Sequence, residues 1–142
     1  MTSRPGSPLF ASIFLAVALF AGSAQAQEST KVRFPAGASS TTISGAVTGR
    51  DYVDYILGAR SGQTMQAALT PASTHGNGTI YFNILPPGSN DEAVFVGSMD
   101  DDGRHAEVTL PADGDYKIRI YLMGNDRDAN KTVGYSLQVS IR

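Results

Sequence analysis

The chain has 142 residues, no cysteine and a formal net charge of −2. Without thiols the fold must hold by packing alone, and metal sites built on thiolates are excluded. A slightly acidic balance offers no basic face to nucleic acid or to an anionic membrane.

The first 26 residues read as a secretory signal peptide. Arg4 is the single positive side chain. The stretch from Leu9 to Ala21 is apolar or small apart from Ser12. Ala24 and Ala26 then give the small-residue spacing of a cleavage site, with the cut expected after Ala26. The apolar run is shorter than the ~20 residues needed to span a bilayer. No cysteine follows the cut to anchor a lipoprotein. The mature part is then residues 27–142, with ten basic against thirteen acidic residues, exported to the periplasm or beyond, and of a size for one domain.

Residues 27–30 read as a frayed end. Beyond them the chain reads as strands. In "TKVRF" Val32 and Phe34 alternate with Lys31 and Arg33; "TTISGAV" follows, closed by a turn at Gly49. "YVDYIL" sets Val53, Tyr55 and Leu57 on one face and Tyr52, Asp54 and Ile56 on the other. "ARSGQTMQAAL" reads as a hairpin about Ser61-Gly62. "TIYFNIL" stops at Pro86-Pro87-Gly88, and "EAVFVGS" is a short strand. "MDDDGR" is a charged turn, and "HAEVTL" leads into the Pro-initiated turn "PADGD". The two clearest strands come last: Tyr116, Ile118, Ile120 and Leu122 alternate with Lys117, Arg119, Tyr121 and Met123, and Tyr135, Leu137, Val139 and Ile141 with Ser136, Gln138 and Ser140. No segment keeps a helical period over ten residues. The expectation is an all-β protein: one antiparallel β-sandwich, jelly-roll-like, of about eight or nine strands.

Catalytic signals are thin. There is no G-x-S-x-G elbow, and the histidines, His75 and His105, stand 30 residues apart without a third ligand at a distinctive spacing. "DDDG" at Asp100–Gly103 invites a calcium reading. Setting Gly103 at position 6 of an EF-hand loop puts Ser98 at position 1 and Thr109 at position 12, so that pattern fails and a solvated turn remains. Asn77-Gly78-Thr79 and Asn130-Lys131-Thr132 are formal glycosylation sequons. No enzyme and no cofactor is expected. What remains is binding through loops, which a sandwich gathers at its two ends. The polar stretch "GNDRDANKT", Gly124 to Thr132, between the last two strands carries Asp126, Arg127, Asp128 and Lys131 and is short of anything apolar.

Three motifs spread over the mature chain carry a resemblance. They are Ser44-Gly45 followed by Gly49-Arg50-Asp51-Tyr52, the run Leu110-Pro-Ala-Asp-Gly-Asp-Tyr116, and Asn125-Asp126 with Asn130-Lys131-Thr132. Together they resemble the periplasmic inhibitors of g-type (goose-type) lysozyme. The resemblance implies an exported β-sandwich that is not an enzyme and whose loops enter the lysozyme's substrate cleft. It implies a partner-binding set of Arg50, Tyr52, Asn125, Asp126, Arg127 and Lys131, with Asp126 alternatively orienting the loop by accepting backbone N–H groups. Gly124 and Asp128 stand where the resemblance leads one to expect arginines, which leaves Arg127 as the replacement cation. The other reading is a stand-alone binding module, like the sandwich domains appended to secreted peptidases, for glycan, peptidoglycan or protein. In either case an unpaired edge strand leaves a route to a homodimer.

Overall fold

In the computed structural model the described residues are 27–74 and 79–142, with Ser3 and Gly6. The expected signal peptide and its cleavage site therefore lie outside the described residues, as do His75 and the Asn77 side of the first sequon.

Among the described residues nine strands form two sheets packed face to face. They are β1 (Gln27–Lys31), β2 (Ser40–Thr48), β3 (Tyr52–Ala59), β4 (Thr64–Thr74), β5 (Ile80–Leu85), β6 (Phe95–Val96), β7 (His105–Thr109), β8 (Gly114–Leu122) and β9 (Thr132–Ile141). A five-residue helix, α1 (Gly124–Asp128), and a short 3-10 turn at Gly97–Met99 complete the elements. The five-stranded sheet has the order β1-β3-β8-β5-β6, and the four-stranded sheet β2-β9-β4-β7. Strands β2 to β9 thus wind as a jelly roll of two four-stranded sheets, with β1 added at one edge.

This winding corrects the hairpin expected about Ser61-Gly62. Of the connections from β2 onward, only β5 to β6 joins neighbours in one sheet. The turn at Ser61-Gly62, the Asp100–Gly103 turn, the Leu110–Tyr116 run and the stretch after Leu122 are not hairpins. Each carries the chain from one sheet to the other. Alternation tells which side chains face inward, but an inward face is the same whichever sheet the strand joins.

Residues 27–31 are not frayed. They form β1, which pairs in parallel with β3, Gln27 opposite Tyr52 through Lys31 opposite Ile56. Val32 continues the ladder by donating its N–H to the Ile56 carbonyl. The exposed side chains of Glu28 to Lys31 give no apolar signal. The backbone groups left open along the edge of β3 supply the pairing.

The core follows the expected period of two. Tyr116, Ile118, Ile120 and Leu122 of β8 face Val133, Tyr135, Leu137, Val139 and Ile141 of β9 across the sandwich, all buried. Pro71, which has no N–H to give, sits where the β4–β9 register slips between Pro71 and Ser73. The Leu110–Tyr116 corner closes on Tyr116. Its buried hydroxyl donates to the Ala112 carbonyl at 2.7 Å and accepts from the Ala112 N–H at 3.0 Å. This is the tyrosine corner of Greek-key sandwiches. Tyr116→Phe is expected to cost about 2 kcal/mol of stability, since both bonds vanish with one atom. A urea midpoint unchanged from wild type would refute that role.

Candidate functional site

Two of the sequence motifs meet at one end of the sandwich. The first is the corner from β2 to β3. Gly49 is buried, with φ of 56°, in the left-handed region that glycine enters without strain. A Cβ there would run into the side chain of Asn130. The second is the connection from β8 to β9, which coils into α1 and leaves it through Asn130, itself at φ 54°. The Gly49 N–H donates to the Lys131 carbonyl at 2.9 Å, and the hydroxyls of Thr48 and Thr132 lie 2.8 Å apart. The glycine of one motif and the Asn-Lys-Thr of the other are therefore two halves of one junction.

Asp126 secures the far side of α1. Its residue is fully buried, and Oδ2 accepts the N–H of Thr79, just before β5, at 2.8 Å. The Met123 N–H donates to the Thr79 carbonyl at 3.1 Å. The Asp126 carboxylate thus lies inside and accepts a backbone N–H, the arrangement given above as its alternative role. The polar run around it hid that burial from the sequence.

Between these anchors lies an open groove of about 330 Å3, lined by Arg50, Asp51, Tyr52, Arg119, Tyr121 and Arg127 among others. Three of the six expected residues, Arg50, Tyr52 and Arg127, come together here. Asn125 and Lys131 belong to the same connection but lie outside the groove lining. Arg50 and Arg127 are joined through Asp128. Arg50 Nη2 donates to Asp128 Oδ1 at 3.2 Å, and Arg127 Nε donates to the same oxygen at 3.0 Å. All three side chains are open to solvent, at 62%, 36% and 52% for Arg50, Arg127 and Asp128. The hydrogen bond from Arg127, with the positive charges of Arg127 and Arg50, holds the Asp128 carboxyl below the usual aspartate range. The acid that stands in place of an expected arginine thus binds two arginines.

The floor of the groove was not singled out from sequence. Arg119, on β8, makes a two-pronged pair with Asp54 on β3: Nε to Oδ1 at 2.8 Å and Nη2 to Oδ2 at 2.9 Å. Asp54 is buried and Arg119 largely so. That hydrogen-bonded carboxylate raises the already high Arg119 pKa. The guanidinium carbon stands 4.2 Å from the Tyr52 ring centroid, a cation–π stack. Tyr52, Tyr121 and Tyr81 stand opposite one another across β3, β8 and β5. The Tyr121 hydroxyl donates to Asn83 Oδ1 at 2.8 Å. The alternation already put Arg119 and Tyr121 on the outer face of β8. Only the register shows which row of that face meets the loops.

The acidic turn has a local use for one of its carboxylates, since Asp100 Oδ1 accepts the Asp102 N–H at 3.0 Å. Among the described residues no group of three or more His, Asp or Glu is placed to hold a metal ion.

Two sheets wound as a jelly roll, with the groove at one end, define a β-sandwich protein. No protein-family profile matches the chain. It is 30% identical over 130 residues to the inhibitor of g-type lysozyme of Escherichia coli K12, covering 92% of this chain and 93% of that one. Two solved periplasmic inhibitors of g-type lysozyme share its fold. The Aeromonas hydrophila protein superposes with a TM-score of 0.72 at 34% identity, over 82% of this chain and 97% of its own. The Salmonella Typhimurium protein superposes at 0.63 with 28% identity, over 81% and 98%. The chain belongs to the family of periplasmic inhibitors of g-type lysozyme, proteins that are not enzymes. Its place in the periplasm goes with that membership, and among the described residues no helix is long and apolar enough to cross a membrane. A pre-peptidase C-terminal domain of a Bacillus anthracis collagenase, 13% identical with a TM-score of 0.54, shares the fold alone.

Proposed function

We propose that this protein inhibits a g-type lysozyme by seating the Arg50–Tyr52–Arg127 end of its sandwich in the enzyme's substrate cleft. One observation carries the reading. Residues 75 positions apart in sequence converge on one groove, in a chain whose relatives inhibit that class of enzyme. A lysozyme cleft holds a catalytic carboxylic acid and polar groups that bind sugars. Arg127 and Arg50 are the donors for that acid. Among the described residues no partner occupies the Nη atoms of Arg127 or the Nε and Nη1 of Arg50. Charge-assisted bonds of this kind contribute ~1.5–3 kcal/mol each. Tyr52, its ring braced by Arg119, occupies the position of a sugar. Asn125 and Lys131 flank the contact, and Asp126 keeps the connection in shape.

The test is inhibition of a purified g-type lysozyme by the mature domain. Wild type is expected to inhibit at or below micromolar concentration. Arg127→Ala is expected to raise Ki at least tenfold, which corresponds to about 1.4 kcal/mol. Absence of inhibition at micromolar protein, against lysozymes from several sources, would remove the reading.

A further inference from the structure

From the geometry at the mouth of the groove we infer that Asp128 is a positioning residue, gathering Arg50 and Arg127 into a paired receptor for a single carboxylate on the partner. The inference rests on the lysozyme reading for the partner's identity, but the gathering itself is a property of this chain.

Arg50 and Arg127 come from different corners of the sandwich and share one acceptor atom, Asp128 Oδ1. An exposed ion pair alone orders a long side chain weakly. Here the two corners are also fixed to each other: Gly49 bonds to the Lys131 carbonyl, Asn130 packs on Gly49, and Asp126 holds α1 to Thr79. Asp128 therefore sits at a set distance from both arginine stems. Each guanidinium spends one N–H on Asp128 and keeps others for a second acceptor. A carboxylate arriving at the groove meets two forks already side by side, and the entropy of ordering them has been met before binding.

This makes a prediction opposite in sign to simple charge counting. Deleting a negative charge beside a cation site should strengthen the hold on an acidic partner. If Asp128 positions the arginines, Asp128→Ala weakens it. The expected result is a Ki about fivefold higher or more for Asp128→Ala, with Asp128→Asn, which keeps an acceptor, in between. Arg50→Ala is expected to cost less in the Asp128→Ala background than in wild type. In the unbound protein, 15N relaxation at the arginine Nε–H groups is expected to show Arg127, the residue bonded through that nitrogen, becoming more mobile in Asp128→Ala. An unchanged or lower Ki for Asp128→Ala overturns the receptor. Equal Arg127 mobility in wild type and variant overturns the gathering. If wild type inhibits no lysozyme, the partner reading falls and the relaxation measurement still decides on the gathering.

Discussion

Asp54→Ala is expected to lower the unfolding free energy by about 3 kcal/mol, read as a drop in urea midpoint at constant slope. Asp54 lies buried on β3, and Arg119 faces it across the β3–β8 ladder with both prongs engaged. Removing the carboxylate leaves a guanidinium that is largely shut from water without its partner. The penalty is mostly that of the stranded charge and not the net worth of the pair. A second variant separates the two. Asp54→Leu combined with Arg119→Met removes both charges, and it is expected to recover most of the lost stability. The double variant nonetheless leaves Tyr52 without its stacking cation, so it is expected to fold well and inhibit poorly. A double variant as unstable as Asp54→Ala would show that the pair itself, and not the orphaned charge, sets the cost.

Gly45→Ala should cost about 2–3 kcal/mol, although it adds a single methyl group. Gly45 lies on β2 directly opposite Tyr135 of β9. A Cβ at Gly45 would stand 2.6 Å from the Tyr135 hydroxyl oxygen, 2.8 Å from its Cζ and 3.0 Å from the Tyr55 hydroxyl oxygen. The glycine is the slot into which the two tyrosines fit. Their hydroxyls are hydrogen-bonded at 2.7 Å inside the core, with the rings edge to face at 6.4 Å. Tyr135→Phe alone removes that bond. Combined with Gly45→Ala, it also removes the atom nearest the new methyl. The pair of changes is therefore expected to cost less than the two added separately, and strict additivity would refute the slot. Burial first, then the hydrogen bond and neighbouring charge, pushes the Tyr135 hydroxyl up; burial pushes up that of Tyr55. A folded pKa raised above the unfolded one favours the neutral form. The contribution is whole below the ordinary tyrosine value near 10 and is lost as pH rises beyond it.

The two predictions mark where sequence was informative and where it stopped. The Ser-Gly and Gly-x-Asp-Tyr motifs could be read as a pair of landmarks, and the strands β3, β8 and β9 from their alternation. The reason for Gly45 could not, because it is Tyr135, ninety residues away and brought opposite by β2–β9 pairing. Arg119 looked like any cation on a wet strand face, since its partner Asp54 is 65 positions distant. Helix α1 has five residues, too few for a 3.6-residue period to declare itself. β1 has no apolar face at all and is held by backbone pairing. In each case the missing information lay in which strands become neighbours, a long-range property that local pattern does not carry.

The position of β9 has a consequence for the order in which the sheets can assemble. β9 lies between β2 and β4 and supplies the ladder to both. Until residues 132–141 have emerged, the four-stranded sheet has no middle, and β2 has no partner at all. The four-stranded sheet is therefore completed by long-range pairings that reach back from β9 to β2 and β4.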